Sequence, residues 1–357
     1  MIHRFLWSSM LCMGMLTVVA QKNVSKLYAA NHPNIRITGR VSDEQPQQPR
    51  FWAPGVYIEL AFRGDTCTVL LGDEMKWGTS HNCVEIQVDN EPSYKVWLKE
   101  KDNVLRITAS KKQPAHRVII TKNTEAEMGY LELRGIRCNK LLPLPKAPTR
   151  RIELYGNSIT CGSGMDMQNI PCNTGQWYDQ HRAYMAYGPL TARKLNAQWQ
   201  LSSVSGIGLI HSCCNKTTVM PQVYDKINMT DNALPWSFSR YQPDVVTICL
   251  GQNDGIQDSL AFTNAYLQLL QQMQQHYPKA TFILLNSPMA HAELNTVLQR
   301  YILAVVQQSR QLGISRITHY FYRQRYASGC DSHPTMAEHA QMAEELSAFV
   351  AQTMGWK

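Results

Sequence analysis

The hydrophobic period of this chain changes once, across NKLLPLPKAPTRR (139–151), and that change constrains the fold more than any single motif. Before it, apolar residues recur at every second position. GVYIELAF (55–62) puts Val56, Ile58, Leu60 and Phe62 on one face, and CVEIQV (83–88) repeats the pattern with Val84, Ile86 and Val88. VWL (96–98), RVIIT (117–121) and YLELRGI (130–136) follow at short spacing. Many short alternating strands parted by polar turns predict a β-sandwich of the jelly-roll kind. After the proline-rich segment, which has the stiffness of a linker, strand patterns alternate with helical ones. RIELY (151–155), WQLSSVS (199–205), DVVTICL (244–250), TFILLN (281–286) and ISRITHYFY (314–322) are strand candidates. Helical spacing covers 183–197, 259–276, 293–311 and 335–353. DVVTICL is apolar throughout, as a central parallel strand covered on both faces should be. Five strands with intervening helices predict an α/β fold, a three-layer α/β/α doubly wound parallel sheet. The expected domains are therefore 21–144 for the β-sandwich and 145–357 for the α/β layer structure, a division natural for 357 residues.

The first twenty residues belong to neither. MIHRFLWSSMLCMGMLTVVAQ (1–21) has a basic start, a short apolar stretch, and Val18 and Ala20 before the polar Gln21. That is the layout of a secretory signal peptide over 1–20. The run is too short to favour a stable membrane span, so the expected location is secreted or periplasmic. Removing it leaves nine of the ten cysteines, an odd number, so at least one is unpaired. In an exported protein some should be bridged. Cys161 and Cys172 flank one loop, Cys67 and Cys83 share a strand-rich region, and the sequence does not choose among pairings. Cys249, inside an apolar strand, reads as a buried free thiol. With no CxxC pair and no HExxH, a metal site has no support. The net charge of +8 is spread over turn-like patches (KEKDN, SKKQ, PTRR) without a recognised motif, which argues against a nucleic-acid partner.

Four loops fall just past predicted strand ends: GNSIT (156–160), SGIG (205–208), GQND (251–254) and GCDSHP (329–334). In a doubly wound sheet such loops project from one edge, where open α/β folds hold their ligands. A serine, a glycine, an asparagine and a histidine would meet there, and acyl transfer needs those parts. A serine hydroxyl is a poor nucleophile until an imidazole takes its proton. Ser158 would attack and His333 would serve as base and then acid. The N–H groups of Ser158 and Gly206, with the Asn253 side-chain amide, would form the oxyanion hole. Asp331 or a backbone carbonyl would orient the imidazole. Serine, imidazole and amide donors supply this chemistry without a metal or an organic cofactor. Asp254 reads as a helix cap.

The ordered set G-N-S, S-G-x-G, G-Q-N-D and D-S-H-P resembles the blocks of the SGNH (GDSL-type) hydrolase superfamily. With the β-rich first half, ITGR (37–40), AYGPLTARKL and VSGIGL, the chain resembles carbohydrate esterase family 2 over nearly all of its mature length. That family joins a small jelly roll to an SGNH domain and deacetylates plant polysaccharides. The resemblance implies a serine esterase that removes O-acetyl groups from an acetylated polysaccharide or oligosaccharide of xylan or mannan type. Two alternatives stay open: an esterase on a lipid, aryl or peptidoglycan ester, and a carbohydrate-binding protein with a vestigial cleft. The departures from the family pattern are specific. Asn157 stands where the usual block has aspartate, and Cys330 stands three residues before the histidine, where the superfamily usually has one. Ser332 holds a place often aromatic in the family, which reduces sugar stacking there. Trp177, Tyr178 and Trp236 lie in strand-end loops and are candidates for binding sugar rings, or for hydrophobic packing. Tyr184 and Tyr187 have helical spacing and read as core, and His339 in the last helix reads as surface or packing.

Overall fold

The structure, a computed structural model, describes residues 25–110, 112–231 and 233–357; the expected signal peptide lies outside the described residues. Nine strands build the first domain: β1 (Lys26–Tyr28), β2 (Ile35–Thr38), β3 (Arg50–Phe51), β4 (Tyr57–Asp73), β5 (Cys83–Val88), β6 (Tyr94–Trp97), β7 (Asp102–Thr108), β8 (Ala115–Lys122) and β9 (Leu131–Leu142). All their pairings are antiparallel. The 17-residue β4 organises them. Its first part pairs with β2 and β8 and its last part with β7, while β9 pairs along both with a register shift between Arg63 and Cys67. A bulge bends a strand and lets it serve both halves of a sandwich. Val56, Ile58, Leu60 and Phe62, the alternating face legible in the sequence, are all at most 2% exposed and lie in the sandwich core. On the opposite face of β4, Tyr57 packs against the second domain, and Glu59 is buried between Arg36 and Arg117 of the first.

The second domain is a five-stranded parallel sheet in the order β11-β10-β12-β13-β14, built from β10 (Arg150–Gly156), β11 (Ala197–Ser203), β12 (Val245–Cys249), β13 (Thr281–Leu285) and β14 (Ile317–Tyr320). Helices α4 (Ser259–His276) and α5 (Ala292–Gln311) cover one face through Val246, Ile248, Phe282 and Leu284. Helices α2 (Tyr187–Lys194) and α6 (Met336–Met354) cover the other through Ile152, Leu154, Ile283 and Leu285. The one-turn helices α1 (Ser158–Cys161) and α3 (Met220–Val223) sit at the edge of the sheet. The chain steps from β10 outward to β11 and returns to β12 on the other side, so the sheet reverses direction next to β10. A crevice opens at such a switch point. Among the described residues no helix is long and apolar enough to cross a membrane.

Three expectations need correction. The linker is shorter than 139–151, because β9 runs to Leu142 and β10 begins at Arg150. The helix expected over 183–197 is a 3-10 turn followed by α2, since Pro189 confines the α-helix to a start near Tyr187. The strand expected over 314–322 pairs only across Ile317–Tyr320. By contrast, α4 spans the 259–276 that its periodicity predicts.

The two domains are bolted together by Arg40, at the end of ITGR. Its side chain is fully buried, and Nη2 donates to Glu153 Oε1 on β10 at 2.9 Å and to the Tyr155 hydroxyl at 2.6 Å. Nη1 donates to the carbonyls of Tyr224 at 2.7 Å and Lys226 at 2.6 Å. Tyr57 stacks on Trp199 with ring centroids 4.0 Å apart, and Trp199 Nε1 donates to the Gly55 carbonyl at 2.9 Å.

Candidate active site

The crevice at the switch point is a cavity of about 430 Å³, within the range of small-molecule sites. Its lining includes Ser158, Gly206, Asn253 and His333, which come from four separate loops. Ser158 follows β10 because Gly156 and Asn157 end the strand. Asn157 adopts an extended conformation, and its side-chain oxygen caps α1 by accepting from the Ile159 N–H at 3.2 Å. The amide of Asn157 thus does the capping that a carboxylate would do, without its charge. Its Nδ2 is buried and finds no partner among the described residues.

Ser158 Oγ lies 2.8 Å from His333 Nε2, although the two residues are 175 positions apart. The other ring nitrogen, Nδ1, lies 3.0 Å from the Cys330 carbonyl. An N–H at Nδ1 facing that carbonyl leaves Nε2 with its lone pair towards the serine, the tautomer a general base needs. Burial lowers the pKa of His333; the hydrogen bond to Cys330 opposes this, and nearby His181 lowers it further, for a net value below 6.5. The shift favours the neutral ring. Asp331, the other orienting group left open by the sequence, is on the surface. It sits at φ +50°, a left-handed conformation, and makes no hydrogen bond to the ring among the described residues. The carbonyl of Cys330 occupies that place instead.

The histidine loop is fastened at both ends. Cys330 is bridged to Cys172, a pairing the sequence left unresolved; Cys67, Cys83 and Cys161 are free and buried, as is Cys249. The Cys330 N–H donates to the Gly164 carbonyl at 2.9 Å, and the Gly329 N–H donates to the His333 carbonyl at 2.7 Å. Gly164 lets the loop come this close, because a Cβ there would lie 2.6 Å from the Cys330 oxygen. It is one of the residues sequence reasoning missed, although it stands in the CGSG that follows the serine.

The donors also converge. Gly206 adopts φ +77°, which favours glycine, and its N–H has no protein acceptor among the described residues. Asn253 Nδ2 donates one hydrogen to the Ile207 carbonyl at 2.8 Å, which pins the amide and leaves its second N–H for the cleft. Asp254 is not a helix cap. Its carboxylate accepts from the N–H groups of Leu209, Ile210 and His211 at 2.7–3.0 Å and so ties the glycine loop to the asparagine loop, while Asp258 caps α4.

Of the three aromatic candidates, only Trp177 lines the cavity, and it is 50% exposed. Tyr178 is buried beside Trp97. Trp236 is buried with Ile227 and Tyr241, under Arg40, and takes no part in the cleft. Tyr184, Tyr187 and His339 are core residues; His339 accepts from the Tyr187 N–H at 3.1 Å. Among the described residues no cluster of three or more His, Cys, Asp or Glu side chains could hold a metal ion.

Comparison with known proteins follows the same two-part division. The model of the carbohydrate esterase 2 N-terminal domain matches residues 37–148, and that of the GDSL-like lipase/acylhydrolase family matches 154–341. An acetylxylan esterase / glucomannan deacetylase of Cellvibrio japonicus is 28% identical over 367 residues, covering 99% of this chain and 100% of its own. The cellulase/esterase CelE of Acetivibrio thermocellus is 29% identical over 341 residues, covering 91% of this chain but 40% of its own length. The solved structure of a family two carbohydrate esterase from Cellvibrio japonicus superposes with a TM-score of 0.84 at 27% identity, over 93% of this chain and 99% of that one. One from Clostridium thermocellum, in complex with cellohexaose, gives 0.83 at 28% identity over 90% and 100%. Fold order, crevice and both matches agree: the chain belongs to the GDSL-like lipase/acylhydrolase family and carries the N-terminal domain of carbohydrate esterase family 2, which makes it a carboxylic ester hydrolase of the carbohydrate esterase class.

Proposed function

We propose that this protein is an exported esterase that removes O-acetyl groups from a polysaccharide of xylan or mannan type, with Ser158 and His333 as the catalytic pair. The observation that carries this reading is the 2.8 Å contact between Ser158 Oγ and His333 Nε2, with Nδ1 held by a carbonyl. In the reaction, Nε2 takes the hydroxyl proton as Oγ attacks the ester carbon, and the carbonyl electron pair moves onto oxygen. That oxyanion faces the N–H groups of Ser158 and Gly206 and the free N–H of Asn253. Each such donor contributes on the order of 10²–10³ in rate. When the electron pair returns, the bond to the sugar oxygen breaks, and that oxygen takes the proton from Nε2. Water then repeats the sequence on the acyl-serine, releasing acetate and restoring the hydroxyl. The Cys330 carbonyl holds the ring in the base tautomer, the part a carboxylate plays in a triad.

The carbohydrate substrate is supported by the relatives named acetylxylan esterase / glucomannan deacetylase and by the cellohexaose complex. The half-exposed ring of Trp177 beside the catalytic pair adds a surface of the kind that stacks on sugars. Export rests on the pattern of residues 1–21. The test is Ser158→Ala. It should fold as the parent does and lose acetate release from acetylated xylan and glucomannan, and also hydrolysis of 4-nitrophenyl acetate. Turnover retained by the folded variant would remove Ser158 as the nucleophile.

A further inference from the structure

The floor of the cleft holds a second set of hydrogen bonds that the acyl-transfer scheme does not use, and it begins in the N-terminal domain. Lys122, Asn123, Thr124 and Glu125, at the end of β8, form a run of four polar residues that are all at most 1% exposed. Lys122 Nζ donates to the carbonyls of Thr124 at 2.7 Å and Glu125 at 2.9 Å, which fixes the turn. Glu125 then reaches across the domain boundary. Its Oε1 accepts from His181 Nε2 at 2.8 Å, and its Oε2 accepts from the Ser205 backbone N–H at 2.7 Å. Ser163 Oγ lies 3.0 Å from His181 Nε2 and 3.0 Å from Ser205 Oγ. The path from Glu125 through His181, Ser163 and Ser205 returns to Glu125.

Two members of this ring are one step from the reacting atoms. Ser205 precedes Gly206, whose N–H faces the oxyanion. Ser163 donates its N–H to the carbonyl of Ser158 at 3.0 Å. The ring therefore ties the nucleophile's segment to the oxyanion loop. His181, Ser163 and Ser205 also line the cavity. Burial alone would raise the pKa of Glu125, but the hydrogen bonds from His181 and Ser205 outweigh it and hold the carboxyl below its ordinary value. A buried charge and its partners can often be replaced together by packed apolar side chains at little loss of stability. Keeping a charge there suggests a demand for fixed geometry.

We propose that Glu125 is a positioning residue of the esterase site, supplied by the N-terminal domain, which through Ser205, His181 and Ser163 holds the oxyanion loop in register with Ser158. The proposal rests on the acyl-transfer reading of Ser158, His333 and Gly206. It gives the β-sandwich a part in turnover.

The test uses the full-length protein with Glu125→Ala, Glu125→Gln and Ser163→Ala, each titrated with a fluorophosphonate to count competent serines. Glutamine keeps an acceptor for the Ser205 N–H; alanine removes both contacts. Expected is a kcat on 4-nitrophenyl acetate, per titrated site, about 10²-fold lower in Glu125→Ala and about tenfold lower in Glu125→Gln, with KM within about twofold. Affinity for a boronic acid transition-state analogue should fall in step with kcat. A merely structural role would reduce the titrated fraction and leave kcat per site unchanged, and that result would overturn the proposal. If Glu125→Ala does not fold, the glutamine and Ser163→Ala variants decide on the same criterion. Ser158→Ala is run alongside. Activity surviving in it removes the acyl-transfer reading itself, whereas an inactive Ser158→Ala with parent-like Glu125 variants removes only the positioning role.

Discussion

Replacing Gly164 by alanine tests whether the histidine loop must sit where the structure has it. The added Cβ would lie 2.6 Å from the Cys330 carbonyl oxygen and 3.0 Å from His333 Cβ. Carbon–oxygen contacts settle at about 3.3 Å or more, so the oxygen must move by roughly 0.7 Å. It cannot swing freely, because Cys330 is clipped to Cys172 and its N–H is bonded to the Gly164 carbonyl. The displacement falls on the group that orients His333 Nδ1. A misplacement of about 1 Å can cost about 10² in rate, so kcat should drop roughly 10- to 100-fold, with KM little changed. The φ of +66° adds a stability cost of about 1–2 kcal/mol for a residue with a Cβ.

A control separates these two effects. Gly313 has φ +89° and nothing within 4 Å of its virtual Cβ. Gly313→Ala should lose similar stability and keep its kcat. Steady-state kinetics on 4-nitrophenyl acetate and thermal unfolding of both variants give the comparison. A folded Gly164→Ala with kcat within twofold of the parent would refute the reasoning, and so would an equal loss in Gly313→Ala.

The other two predictions concern the base and the domain boundary. The proposed mechanism needs a neutral His333 to accept a proton, and burial lowers its pKa, so kcat/KM should hold as pH falls and decline only below the ordinary histidine range of about 6.5; a limb centred above pH 7 would contradict the assignment. Arg40→Ala leaves Glu153 buried without its cation, so urea unfolding should show a loss of about 3–5 kcal/mol. A loss under about 1 kcal/mol would mean that the ion pair does not fasten the domains.

Much of the architecture was legible because its causes are local. The period of two in GVYIELAF and CVEIQV marks strands with a buried face, and the structure buries those faces. Less legible was the extent of elements whose ends depend on partners. ISRITHYFY has strand character throughout, but β13 offers partners only to Ile317–Tyr320. Ser158, Gly206, Asn253 and His333, which line one cavity, each stand in a turn motif near a strand end, and that much is local. Trp236 stands in such a loop too, but packing beneath Arg40 takes it away from the cleft. Lys122–Glu125 is buried, yet a run of four polar residues gives no sign in the sequence that another domain will cover it.

The sequence by itself determined the two layered folds, their order and the four loops at one sheet edge, because hydrophobic period and turn chemistry act over a few residues. Only the tertiary structure decided that a carbonyl rather than Asp331 faces His333, that Cys172 pairs with Cys330, and that Glu125 accepts from the Ser205 N–H across the domain boundary. Those outcomes depend on distances between groups tens to hundreds of residues apart, which packing sets and local pattern does not.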